Sequence, residues 1–331
     1  MKKKVTLGDI ARVCNTSNVT ISKALAGKSG VSEELREKII LTAKEMGYIS
    51  TKQSFGEGSI GILIPEKFIN LSGSFYWALY NKLLQSFKDR NISCIQENIN
   101  AEEETELIMP KFLSGSRIIG VISLGQLSAE YVRRLAAQSA PLLLLDYYLP
   151  ELDADCIVTN GFFGGYKLTS YLISEGHREI GFVGTRLATS SIFDRYMGYM
   201  KAMLQHGLPV REEWIIPDRE VNNELFPHIT FPERLPSALV CNCDETAFKV
   251  IRDLKALGIS VPEQVSVVGY DNYLISEISD PPITTINVDA GEMADLAVST
   301  ILDRIQKPKT RTRIQIIDGK PVFKQSVKSL K

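Results

Sequence analysis

Histidine is scarce in this 331-residue chain: there are three, His177, His206 and His228, far apart in sequence. The cysteines number five, an odd count without closely spaced framework pairs, which suits a reducing compartment better than a disulfide scaffold. Cys241 and Cys243 stand close together, but no histidine or second cysteine pair lies near them, so the usual multi-ligand zinc spacing is missing and no metal site is expected. No apolar run reaches the roughly 18 residues of a membrane span, and Val5 to Ala26 is broken repeatedly by polar residues, so it reads as neither a signal peptide nor a spanning helix. A cytoplasmic protein with no membrane partner is expected. The sequence also lacks a G-x-S-x-G nucleophile turn and an H-E-x-x-H pair. Gly161-Phe162-Phe163-Gly164-Gly165 is not G-x-G-x-x-G, and no acidic residue follows at the distance a dinucleotide site requires. No catalytic residue and no cofactor are therefore assigned, and His177, which precedes a strand, reads as a structural hydrogen-bonding residue.

Charge of one sign is absent overall but not locally. Lys and Arg total 38 against 39 Asp and Glu, for a formal charge of -1. Residues 1–55 hold ten basic and five acidic side chains, a surplus of +5, which leaves the remainder at -6. Only such a basic head attracts phosphates.

The head reads as three short helices. Thr6-Leu7-Gly8-Asp9 has the form of a capped helix start, followed by Leu7, Ile10, Ala11 and Cys14 at helical spacing. After the turn-prone Asn15-Thr16, Ser17 caps a second helix with Ile21 and Leu25 inward, which Ala26-Gly27 stops. Ser32 caps a third, with Glu33 and Glu34 in its first turn and Leu35, Ile39, Ala43 and Met46 on one face up to Gly47. This pattern is a helix-turn-helix, and its second helix presents Asn18, Val19 and Lys23 outward, beside Thr20 and Ser22. An amide can pair with adenine, a methyl group can touch thymine and a lysine can reach guanine. A solvated face on a small bundle has the same pattern.

From Ile60 onward short β-rich runs alternate with helical stretches. Strands are expected at 60–64, 93–97, 118–123, 142–145, 156–158, 180–183, 238–241 and 265–268, and helices at 76–89, 102–112, 129–138, 165–175, 195–206 and 245–257. Such alternation argues parallel sheets with right-handed crossovers, and about 270 residues of it argue two α/β lobes. Ligands favour a cleft between lobes, faced by the C-terminal ends of parallel strands. Asp146 ends the apolar run Leu142 to Leu145, and Asp271 ends Val265 to Tyr270. Each carboxylate can accept hydroxyl hydrogen bonds from a sugar, or merely cap the element that follows.

The head strings Val5 to Ala11, Ser17 to Gly27 and Val31-Ser32 through Arg36 to Gly47-Tyr48 resemble the DNA-binding head of the lactose/galactose-repressor family. Gly176 to Gly184, Pro262 to Asn272 and Pro281 to Ile286 are similar to that family's sensor core, which shares the periplasmic sugar-binding fold. The resemblance implies a helix-turn-helix domain at 1–50, a short linker at 51–59 and an effector-binding and dimerisation domain at 60–331. Lobe one would take 60–158 and 288–317, and lobe two 159–287 and 318–331. It implies base contacts from Asn18, Val19 and Lys23 and phosphate contacts from Thr6, Ser17, Ser22 and Ser32. Lys23 stands where many members have arginine, so a point charge replaces a planar fork.

In the cleft, the resemblance implies effector contacts from Phe75, Tyr76, Asp146, Ser190, Ser191, Arg195, Cys243 and Asp271, with Arg195 paired to Asp271. Cys243 occupies a place where many sugar-sensing members have an amide, and a thiol is only a weak donor. The linker departs too: it is several residues short and lacks the Ala-Arg-x-Leu stretch of a hinge helix, and two glycines flank Glu57. A linker without a folded hinge is expected, with Phe55 as the one apolar wedge available to a minor groove. The implied protein is a homodimeric repressor of carbohydrate-use genes, bound to a pseudo-palindromic operator in double-stranded DNA and answering to a small-molecule effector, a sugar or a nucleoside. The alternative is a soluble sugar-binding protein or an α/β enzyme with an N-terminal docking bundle. That alternative has no catalytic constellation and leaves the head pattern unexplained.

Overall fold

A computed structural model describes residues 5–25, 30–46, 58–69, 74–220 and 224–331. The linker residues 51–57, Phe55 among them, and the expected helix stops at Ala26-Gly27 and Gly47 lie outside the described residues.

The head consists of α1 (Leu7–Val13), α2 (Asn18–Leu25) and α3 (Glu33–Glu45). Each begins where a hydroxyl side chain can accept an orphan amide. Thr6 and Asp9 form a reciprocal capping box at α1. Ser17 Oγ accepts from Thr20 N at 3.1 Å, and Ser32 Oγ from Leu35 N at 3.4 Å. The turn between α1 and α2 places Asn15 at φ 51°, a left-handed conformation that asparagine tolerates better than most residues. Ile10, Ala11, Cys14, Ile21, Ala24, Ile39 and Ala43 form the core, with Leu25, Leu35 and Met46 half-buried around it. Arg36 of α3 donates from Nη1 to the carbonyl of Ala24 at 3.1 Å and so satisfies an acceptor at the C-terminal end of α2.

The body opens with β1 (Ser59–Pro65), α4 (Glu66–Ile69), α5 (Phe75–Asp89) and β2 (Ser93–Ile99). It continues through α6 (Ala101–Thr105), α7 (Phe112–Gly115), β3 (Ile118–Leu124), α8 (Ala129–Ala136), β4 (Leu142–Leu145) and β5 (Asp155–Thr159). Then follow α9 (Gly161–Ser174), β6 (Ile180–Val183), α10 (Ser190–Gln205), β7 (Ile215–Ile216), β8 (Ala238–Cys241), α11 (Asp244–Ala256), β9 (Ser266–Val268) and α12 (Leu274–Ile278). The chain ends with β10 (Thr285–Asn287), α13 (Ala290–Gln306), β11 (Ile314–Ile317) and β12 (Lys320–Val322).

Two sheets organise these elements. One has the order β11-β5-β4-β3-β1-β2 and the other β7-β6-β8-β9, while β10 and β12 form a separate antiparallel pair. In the first sheet β1, β3, β4, β5 and β11 run parallel, as do all four strands of the second. Parallel strands buried on both faces read as continuous apolar runs, which is why β4 and β6 are legible to the residue. No helix among the described residues is long and apolar enough to cross a membrane.

Three helices depart from expectation. The single helix expected at 102–112 is two short pieces, because Leu107 adopts φ 57° and Pro110 offers no amide for a continued ladder. Helix α9 starts at Gly161 rather than 165, capped by Asn160 Oδ1 accepting from Phe163 N at 3.1 Å. Helix α10 starts at Ser190 rather than 195, capped by the Thr189 hydroxyl.

The early start of α9 explains its glycines, which permit backbone contact with α10. A Cβ on Gly165 would lie 2.2 Å from the Arg195 carbonyl oxygen, and one on Gly198 would lie 2.0 Å from the Phe162 carbonyl oxygen. Neither neighbour is a movable side chain. Gly165→Ala and Gly198→Ala should each destabilise the protein by about 3 kcal/mol in denaturant titration, the scale of an overpacked core. Gly115→Ala, where a Cβ meets nothing within 4 Å, should stay within about 0.5 kcal/mol of the parent. Equal effects at all three positions would refute backbone contact as the reason for the glycines.

Candidate functional site

The head supplies a polar surface on a hydrophobic base. Along α2, Ile21 and Ala24 are buried while Asn18, Val19, Ser22 and Lys23 are exposed, Val19 to 64%. An exposed valine among polar residues is what contact with a thymine methyl requires. Lys23 makes no ion pair among the described residues, so its ammonium is available. Thr6, Ser17 and Ser32 are exposed as well, each at the first turn of a helix. The Thr6 hydroxyl already donates to Asp9 Oδ2 at 2.6 Å, so an anion at this end would be met first by the amides of Leu7 and Gly8, which have no intrahelical acceptor.

The body holds a cleft of about 710 Å³, its open mouth included. It is faced by the segments that follow β1, β4, β6, β7, β8 and β9, the carboxyl ends of strands in both sheets. Of the residues named from sequence, Phe75, Tyr76, Asp146, Ser191, Arg195, Cys243 and Asp271 line it together. Ser190 does not. It lines a smaller recess with Asp146, Tyr148 and Asp194, and its Oγ is buried without a partner among the described residues.

Arg195 is at the centre of this cleft. Its guanidinium lies 3.8 Å over the Tyr270 ring, donates from Nη1 to the Asn242 carbonyl at 2.6 Å and from Nη2 to Asp271 Oδ1 at 3.3 Å. Arg195 and Asp271 are both buried. Burial pushes the Asp271 carboxyl up to about 7, only partly offset by Arg195 and reinforced by the charge of Asp146. Asp146 is raised too, first by burial, although Arg195 and the Tyr76 hydroxyl, which donates to its Oδ2 at 2.8 Å, favour the anion. Its Oδ1 is buried without a partner among the described residues. Both carboxylates sit on left-handed backbone, φ 69° at Asp146 and 104° at Asp271, the type of local strain that concentrates at binding sites.

The aromatic pair divides its work. Phe75 is buried, while the Tyr76 ring packs against Phe68 at 4.5 Å between centroids. Tyr76 is therefore both a wall and the donor to Asp146. Cys243 Sγ lies 3.4 Å from Thr246 Oγ1 and 3.9 Å from Arg219 Nη2, and burial pushes its thiol up to about 11. Such a thiol stays protonated and is not a nucleophile.

Sequence reasoning missed Arg219 and the carboxylate that fixes it. Buried Asp218 accepts from Thr185 N, Asn242 Nδ2, Thr246 Oγ1 and both Nε and Nη2 of Arg219. Burial alone would raise the Asp218 carboxyl, but Arg219 and these hydrogen bonds outweigh it and hold it below the ordinary range. Nothing in the local sequence around Asp218-Arg219 announces a site, since the adjoining strand β7 is only two residues long. Asn242, Thr189, Glu245 and Tyr273 also line the cleft. The run Thr189-Ser190-Ser191 could have flagged Thr189 as the α10 cap. His177, by contrast, is a buried structural residue: its ring nitrogens meet Ser237 Oγ at 2.9 Å and the Lys328 carbonyl at 3.1 Å.

Because Asp271 binds its proton more tightly folded than unfolded, it adds stability in acid. That contribution fades as the pH rises from the ordinary carboxyl value of 3.8 through about 7. Asp271→Asn removes this titration and leaves the other carboxylates in place. The melting temperature of the parent should therefore fall relative to that of the variant between about pH 4 and about pH 7, and the gap should be constant above. A constant gap across the whole range would mean that Asp271 ionises at its ordinary value.

Residues 6–50 match the model of bacterial regulatory proteins of the lacI family, and residues 169–327 that of the periplasmic binding protein-like domain. The chain is 28% identical over 343 residues to the HTH-type transcriptional repressor PurR of Actinobacillus pleuropneumoniae, covering 98% of this chain and 99% of the relative. It is likewise 28% identical over 339 residues to the ribose operon repressor of Haemophilus influenzae, with the same coverage. Among solved structures, the transcriptional regulator CelR in complex with cellobiose shares the fold at a TM-score of 0.69 and 20% identity, covering 98% of this chain and all of that one. With a matching head, a matching sensor body and full-length similarity in the same order, the chain joins a lacI-family helix-turn-helix head to a periplasmic-binding-protein-like body.

Proposed function

We propose that this protein is a cytoplasmic, ligand-responsive transcriptional repressor of carbohydrate-use genes. It acts as a homodimer whose two heads read the half-sites of a pseudo-palindromic operator. The observation that carries the reading is the presence in one chain of an exposed α2 face bearing Asn18, Val19 and Lys23 and a strand-end cleft centred on Arg195. In each half-site Asn18, Val19 and Lys23 meet base edges, and Thr6, Ser17, Ser22 and Ser32 lie along phosphates. Full-length relatives named as repressors, one of them of a ribose operon, support repression and a sugar effector. The protein is no enzyme on this reading: its buried arginine and carboxylates bind hydroxyl groups, and the protonated Cys243 thiol is a weak donor to them. A sugar changes operator affinity only by binding one arrangement of the lobes better than another.

Operator binding should weaken steeply as salt rises from about 0.05 M to about 0.2 M, through release of counterions from the phosphates. In gel-shift titrations, Lys23→Ala should lower discrimination at one base position of each half-site by about 1–3 kcal/mol. Equal losses on every sequence would make Lys23 a phosphate contact instead.

Asp271→Ala should abolish the sugar-dependent change in operator affinity while keeping sugar-free operator binding within about threefold of the parent, under 1 kcal/mol. An unchanged sugar titration in this variant would remove the cleft as the effector site.

A further inference from the structure

We propose that the effector is a two-ring carbohydrate, with one ring in the cleft and the second in an adjoining outer groove. This inference rests on the carbohydrate reading of the cleft. The outer groove is the larger of the two cavities, about 1590 Å³ against about 710 Å³, open mouths included, and Lys67 lines both. A ligand confined to the inner cleft leaves the larger space unused.

The chemistry of the groove selects the second ring. Its floor is apolar, made by Ile99 at the end of β2 and Leu127 just after β3, both buried. Leu187, 75% exposed, lines it from the β6–α10 loop. Hydrogen-bonding groups line the same space. Glu104 is held in place, with Oε1 accepting from Ser128 N at 2.6 Å and Oε2 from Lys67 Nζ at 3.2 Å. Gln126 Oε1 accepts from Ser190 N at 2.8 Å, at the start of the helix that carries Arg195. A sugar ring has a C–H face for such a floor and an edge of hydroxyls for such acceptors. An anionic group fits poorly: Lys67 is the only cation among the described residues lining the groove, and it is already paired with Glu104, while Glu66 and Glu130 add negative charge.

The groove also couples the ligand to the lobes. Ile99, Glu104 and Leu127 belong to segments of the first sheet, whereas Leu187 belongs to a loop of the second. A second ring in the groove touches both and favours the lobe arrangement that brings them together.

The test is isothermal titration calorimetry of the full-length protein with matched sugars: glucose against maltose and cellobiose, and galactose against lactose and melibiose. The parent should bind at least one disaccharide about tenfold tighter than its monosaccharide. Thr105→Trp, at an exposed position lining the outer groove but not the cleft, should weaken that disaccharide by about tenfold or more and leave the monosaccharide within about twofold. A monosaccharide binding as tightly as every disaccharide, or a variant that weakens both alike, overturns the two-ring proposal and leaves the carbohydrate reading standing. Binding of no sugar in the set, with operator binding intact, counts against the carbohydrate reading itself and removes the proposal with it.

Discussion

Backbone contact between α9 and α10 is the constraint on which the binding cleft depends. Gly165 and Gly198 let the two helices approach until main chain meets main chain at the Arg195 and Phe162 carbonyls. A helix held this close has little freedom to rotate or slide, because interiors pack at crystal density and give way only in discrete steps. Arg195, in the middle of that contact, is thereby aimed at Asn242 and Asp271. The third glycine of the segment, Gly164, serves the same end, since a Cβ there would lie 2.5 Å from the Tyr270 ring on which the guanidinium stacks. Glycines that resemble a nucleotide loop in sequence are instead the means of placing an arginine.

Burying that arginine has electrostatic consequences throughout the cleft. A guanidinium keeps its charge under all physiological conditions, so the surrounding groups must satisfy it. They do so in part, with one carbonyl, one aromatic face and Asp271, leaving Nε without a partner among the described residues. Asp146, at the end of a strand in the first sheet, is held by Tyr76 of that same sheet's segments. Burial raises both carboxylates despite the nearby cation, and Asp271 is raised further by the charge of Asp146. Asp218 shows the contrasting solution, in which five donors stabilise a fully buried anion and its carboxyl is lowered. The cleft thus has one wall of settled charge and one whose charge balance a ligand can alter.

What the sequence disclosed follows physical rules. The head was legible because three hydroxyl caps and helical apolar spacing agree, and Ile10, Ile21 and Ile39 are its fully buried residues. Strands β4 and β6 were legible because they are short, apolar and buried on both faces. Strands β7, β10 and β12, two or three residues each, carry too few side chains for a periodic signal. The breaks within 102–112 depended on the left-handed turn at Leu107, which no residue preference announces. Cleft residues at the ends of recognised strands, Asp146 and Asp271, were found. Arg219 was not, because its position depends on contacts with Thr185 and Asn242, far away in the chain, and on Asp218, which Thr246 holds.

The discontinuity of the first sheet bears on how the chain can fold as it leaves the ribosome. The second sheet is complete once Val268 has emerged, since its four strands lie between Ile180 and that residue. The first sheet begins at Ser59 but lacks its edge strand until Ile317, and α13, which packs on β3, β4 and β5, ends only at Gln306. Long-range closure of this kind is slow, and the β5 edge stays unpaired while it is awaited. The first sheet is therefore begun before the second and closed after it, and the cleft, which needs both sheets, cannot form until Ile317 has been made.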